Sequence, residues 1–149
     1  MRRTGLAAAA LLVALVSVGC GGGEQAAAEG SDVTLTLAGQ MGSGQSGTAT
    51  LTADGDERTR IVVELSNPPG PPQPSHVHSG MCDDIGPVVA PLESVENGRA
   101  ESVVSMSLDE LQRGELLVHA HKSEAESKVS VACAEIPEKE TSPSGGYGY

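Results

Sequence analysis

All four histidines of the chain fall into two His-x-His pairs, His76 and His78 around Val77 and His119 and His121 around Ala120. On an extended strand, residues i and i+2 point to the same face, so each pair presents two imidazoles to one point. If the two strands are neighbours, four nitrogen donors converge. Imidazole suits copper and zinc, and a flat array of nitrogens suits Cu(II) best. The competing reading is structural, with the rings bonded to buried backbone or turned to water. Pairing of every histidine favours the metal, because convergent imidazole is what such a site needs. Met81 follows the first pair and offers a soft thioether for Cu(I), although it also suits a loop or core. Asp83, Asp84, Glu124 and Glu126 read as solvated turn and surface rather than as ligands.

Strands must carry these pairs, and the surrounding pattern has period two. Val33, Leu35 and Leu37 alternate with Thr34 and Thr36. Thr48, Thr50 and Thr52 alternate with Ala49, Leu51 and Ala53, and Ile61, Val63 and Leu65 with Val62 and Glu64. Gly-rich turns, MGSGQSG and ADGDERT, separate these three strands. PPGPPQPS follows and is excluded from a central ladder, since proline has no N–H to donate. Further strands are expected near 101–106, 115–121 and 128–135. Ser107 and Glu110 have the spacing of a capping box, so SLDELQRG is expected to form a helical turn ending at Gly114. Many short strands with turn signals indicate an antiparallel sandwich or barrel. Aromatic residues are nearly absent, so the core is expected to be Val, Leu, Ile, Ala and Met.

The chain begins as an export signal. Arg2 and Arg3 precede an uncharged run from Leu6 to Val18, and small residues lead to Gly19 and Cys20. The run is shorter than the roughly 20 apolar residues a permanent span needs. Val16-Ser17-Val18-Gly19-Cys20 resembles the lipobox of bacterial lipoproteins, with Ser17 at a place usually aliphatic. The resemblance implies cleavage before Cys20 and lipid on its sulfur, giving a lipid-anchored protein outside the cytoplasm. Residues 21–31 are small and polar and read as a flexible tether, and 138–149 read as a disordered tail. One domain, 32–137, lies between. Without Arg2 and Arg3, seven Lys and Arg face twenty Asp and Glu, a net charge of about −13. Such a surface excludes nucleic acid as a partner, because phosphate binding needs a basic face. With Cys20 lipidated, Cys82 and Cys133 remain, and a pair outside the cytoplasm reads as a disulfide. In the chain-entropy model, closing that loop stabilises by roughly 4 kcal/mol.

The stretches SHVHSGMCDDIGPVVAPL and GELLVHAHKSEAESKVSVACAEI resemble the copper/zinc superoxide dismutase-like superfamily. They also resemble the related chordin-type modules, which carry His-x-His-x-Gly before a Gly-Pro-Val-Val-like run. The resemblance covers about residues 33–136. It implies an antiparallel Greek-key sandwich or barrel, copper at His76 and His78, and a Cys82–Cys133 disulfide. Ala134 stands where the dismutases have Gly after the second cysteine. The last ligand has two assignments: a Val-Val-His-Glu pattern selects His119, a His-Lys-Ser run selects His121. Residues 79–100 contain no histidine, where dismutases carry a zinc loop, so zinc and its bridging imidazole are not expected. The arginine that precedes the second disulfide cysteine in dismutases is also missing from Lys128-Val129-Ser130-Val131, and Lys128 is a poor substitute. No residue is assigned a catalytic role. Two functions stay open: a surface-anchored copper-binding protein with weak or no dismutase activity, and a metal-free extracellular contact module. An active copper-only dismutase is the limiting case of the first.

Overall fold

The computed structural model describes residues 32–139. The signal segment, Cys20, the tether up to residue 31 and the tail from 140 onward lie outside the described residues. Eight antiparallel strands make up the domain: β1 (Val33–Gly39), β2 (Gly47–Ala53), β3 (Thr59–Leu65), β4 (Gln73–Met81), β5 (Asp84–Val95), β6 (Arg99–Val104), β7 (Leu116–His121) and β8 (Ser130–Glu135). One short helix, α1 (Leu108–Leu111), links β6 to β7. It starts as expected, with the Ser107 hydroxyl accepting from the Glu110 N–H and the Glu110 carboxylate accepting from the Ser107 N–H. No helix among the described residues is long and apolar enough to cross a membrane.

The strands form one sheet in the order β5-β4-β7-β8-β1-β2-β3-β6, curled into a nearly closed barrel. β5 and β6, at its two ends, are consecutive in the chain and joined by Asn97-Gly98, both at positive φ. An Asn-Gly pair supplies the two left-handed residues that a tight hairpin matching the strand twist requires. β1 closes the other junction, pairing with β2 along its length and with β8 at Ala38 and Gly39.

Alternation fills the barrel. Leu35, Leu37, Ala49, Leu51, Ile61, Val63, Ala100 and Val104 are buried in one cluster with Val77, Val118, Ala120, Ala132 and Ala134. Methionine is not part of that interior: Met41 and Met81 are exposed, and Met106 only packs against its edge. β5 was not expected, because Pro87 and Pro91 interrupt its pattern; it sits at the end of the strand order, where a missing N–H costs no central bond. The proline-rich segment enters the sheet earlier than expected. β4 begins at Gln73, and the β4–β5 register skips at Pro74. At the other terminus, the Lys139 N–H donates to the Gln112 carbonyl, so the ordered contacts run two residues past the expected boundary.

Candidate metal centre

β4 and β7 are neighbours, as convergence of the two histidine pairs requires. Their register places His76 opposite His119 and His78 opposite Leu117, and β8 places Cys133 opposite His119. Directly paired residues in a ladder share a face. Val77, Val118 and Ala120 take the opposite face, inside the barrel. All the histidines therefore stand on the outside of the barrel wall, beside Leu117 and Cys133, which are themselves almost completely buried.

Cover for this outer face comes from the turn after β4. The Cys82–Cys133 disulfide is present, joining that turn to the middle of β8. Gly80, with φ +95, makes the corner before it, where a side chain would collide with the Asp84 carbonyl. β5 then folds back so that the Gly86 carbonyl accepts from His78 Nδ1 at 2.8 Å. A buried amide pair fixes the far end. Gln73 Nε2 donates to Gln45 Oε1 at 2.7 Å and to the His121 carbonyl at 3.3 Å.

Ligand atoms of His76, His78 and His121 all lie within 4.8 Å of one another. His119 packs against this trio, its ring centroid 4.4 Å from that of His121 and 5.3 Å from that of His78. Both alternatives for the last ligand thus sit at the site, with His121 in the tighter group. Each ring keeps one buried nitrogen without a hydrogen bond: Nδ1 of His76, His119 and His121, and Nε2 of His78. Four such atoms in one place are unusual, since buried polar groups are nearly always paired. Outer-shell partners account for the opposite nitrogens of two rings. His78 Nδ1 is held by Gly86, and His119 Nε2 lies 2.6 Å from Ser130 Oγ. Partners on the far nitrogen are how metal-binding histidines are oriented.

The electrostatics agree. Burial, and then the neighbouring His121, His78 and His76, push the His119 pKa down to about 4. His76 is lowered by burial and by His78, and His121 by burial and by His76 and His78. Neutral imidazole, the form that binds metal, is the favoured state. Cavities of about 450 and 340 Å³ lie elsewhere, the second touching the site only at Ser130. Met81 stays outside, exposed at the end of β4 beside Glu115, Leu116 and Glu135. Asp83 and Asp84 are exposed in the turn. The two residues that composition and spacing gave no reason to single out are Gly86 and Ser130. Their roles depend on strand register, which local sequence does not show.

Compared with protein-family models, curated proteins and solved structures, the chain has no match in any of the three.

Proposed function

We propose that this protein is a copper-binding β-barrel of the copper/zinc superoxide dismutase-like type, with Greek-key connections, displayed outside the bacterial cytoplasm by lipid on Cys20. One observation carries the metal reading: ligand atoms of His76, His78 and His121 lie within 4.8 Å of one another, and each of these rings has a buried nitrogen with no partner. A cation held by these three rings would satisfy their lone pairs at once. The donor set is nitrogen only, which selects copper over hard cations such as Mg²⁺ or Ca²⁺. The strand order and the position of the disulfide beside the histidines support the dismutase-like type.

Copper bound here would supply one-electron chemistry between Cu(II) and Cu(I). His76, His78 and His121 would hold it, with His119 against them. The protein offers little to draw in an anion. Lys122, next to His121, is tied to the Glu126 carboxylate at 2.8 Å, and Lys128 is exposed. The surrounding surface is strongly acidic and opposes superoxide approach. Copper binding or buffering therefore ranks above dismutation. Cu(II) titration of the domain with electron paramagnetic resonance tests the site. The expected result is one copper per chain with nitrogen hyperfine structure from several imidazoles. A superoxide assay after removal of free metal should stay near background. A rate approaching that of genuine dismutases, abolished by His78→Ala, would make the protein an active copper-only enzyme.

The second reading, a metal-free contact module, has its own support. Val88, Val89 and Val103 are exposed near the β5–β6 junction, where Val89 and Val103 line a cavity with Pro91 and Met106. Absence of stoichiometric copper binding would favour it.

A further inference from the structure

We infer that Ser130 is a positioning residue that holds His119 as a fourth nitrogen donor of the metal centre. The inference rests on the copper reading above and deepens it. A break in the β7–β8 ladder delivers Ser130. Ala120 pairs with Ala132, but His121 pairs with Ser130, so Val131 is an extra residue on β8. Both Val131 and Ala132 are buried in the barrel core. Simple alternation would have sent Ser130 inward as well. The bulge instead turns it to the outer face, where its Oγ lies 2.6 Å from His119 Nε2. Re-aiming one side chain is a recognised use of a bulge beside a site. The β1–β2 loop clasps this bulge: the Val131 carbonyl accepts from the Gln40 N–H at 2.9 Å and from Ser43 Oγ at 2.7 Å.

Proton placement on His119 follows from what surrounds each nitrogen. Nδ1 is buried and has no partner, on a ring whose centroid lies 4.4 Å from that of His121 and 5.3 Å from that of His78. A proton there would be an orphaned buried donor, the costlier kind of unmet hydrogen bond. With the proton on Nε2, His119 donates to Ser130 Oγ and its Nδ1 lone pair is left free. His78 follows the same rule, with Nδ1–H donated to Gly86 and the Nε2 lone pair bare. His119 is also the most buried of the four rings, at 3% exposure, so it cannot meet its needs from water.

Pulsed electron paramagnetic resonance on the Cu(II)-loaded domain counts the coordinated nitrogens. The expected result is four imidazole nitrogens in the parent protein. Ser130→Ala should keep one copper per chain, lose the fourth nitrogen signal and bind about 10- to 100-fold more weakly. Ser130→Thr, which keeps the hydroxyl, should restore the parent spectrum. Three nitrogens in the parent protein would overturn this inference and leave the copper reading intact. Four nitrogens retained in folded Ser130→Ala would overturn the role of Ser130. Should that variant fail to fold, His119→Gln decides the ligand: a parent-like spectrum there overturns the inference. No copper uptake by the parent would remove the copper reading and this inference together.

Discussion

On β1, Thr34 and Thr36 point away from the barrel and are open to solvent. On β7, two places along the sheet, Leu117 and His119 also point away from the barrel, yet both are buried. The β1-β2-β3-β6 half is a sheet with one dry face. In the β5-β4-β7-β8 half, the middle of the sheet is dry on both faces around Leu117, His119 and Cys133, where the turn after β4 is pinned by the disulfide. Covering a face of threonines would strand hydroxyls. Covering a face of imidazoles strands nitrogens, unless something else satisfies them. The second half is where the molecule has taken on an electrostatic cost, which the proposed cation would offset.

Removing the cover should have the largest effect. Replacing Cys82 and Cys133 with Ala is expected to destabilise the domain by about 4 kcal/mol, read from urea unfolding, and to weaken copper binding. Unchanged stability would mean that the cover holds itself. Next in size is the site. His78→Ala should reduce Cu(II) affinity by more than about 100-fold, beyond what loss of an outer-shell partner costs. Titration calorimetry would measure it. The effect of pH on the metal-free domain is smaller. His119 takes its proton near 6.5 when unfolded but only near 4 when folded. Between those values the unfolded state holds more protons, so stability should fall as pH drops from 6.5 and level off below 4. His119→Gln should flatten that decline. Smallest of all, Thr36→Ser on the plain half should shift stability by less than about 0.5 kcal/mol and leave copper binding unchanged. A copper defect there would erase the contrast between the halves.

The plain half was the more legible in the sequence. β1, β2 and β3 follow from alternation alone, because one face is wet and every second residue shows it. β5 did not, since Pro87, Pro91 and a run of apolar residues hide a strand that has no period of two. Asn97-Gly98, the hairpin signal at its end, was there to be used. The histidine pairs announced that imidazoles would share a face, and the capping box announced α1. What stayed hidden was the second layer. Gly86 reaches His78 through an irregular register, and Ser130 reaches His119 through a bulge. A shift of one residue decides which face a side chain takes, and no local pattern records it.

The histidines grow from the outside of the wall, while Val77, Val118 and Ala120 hold the inside. The two sets alternate along the same strands without sharing space. Substitution of an outer histidine therefore leaves the residues that fill the barrel in place.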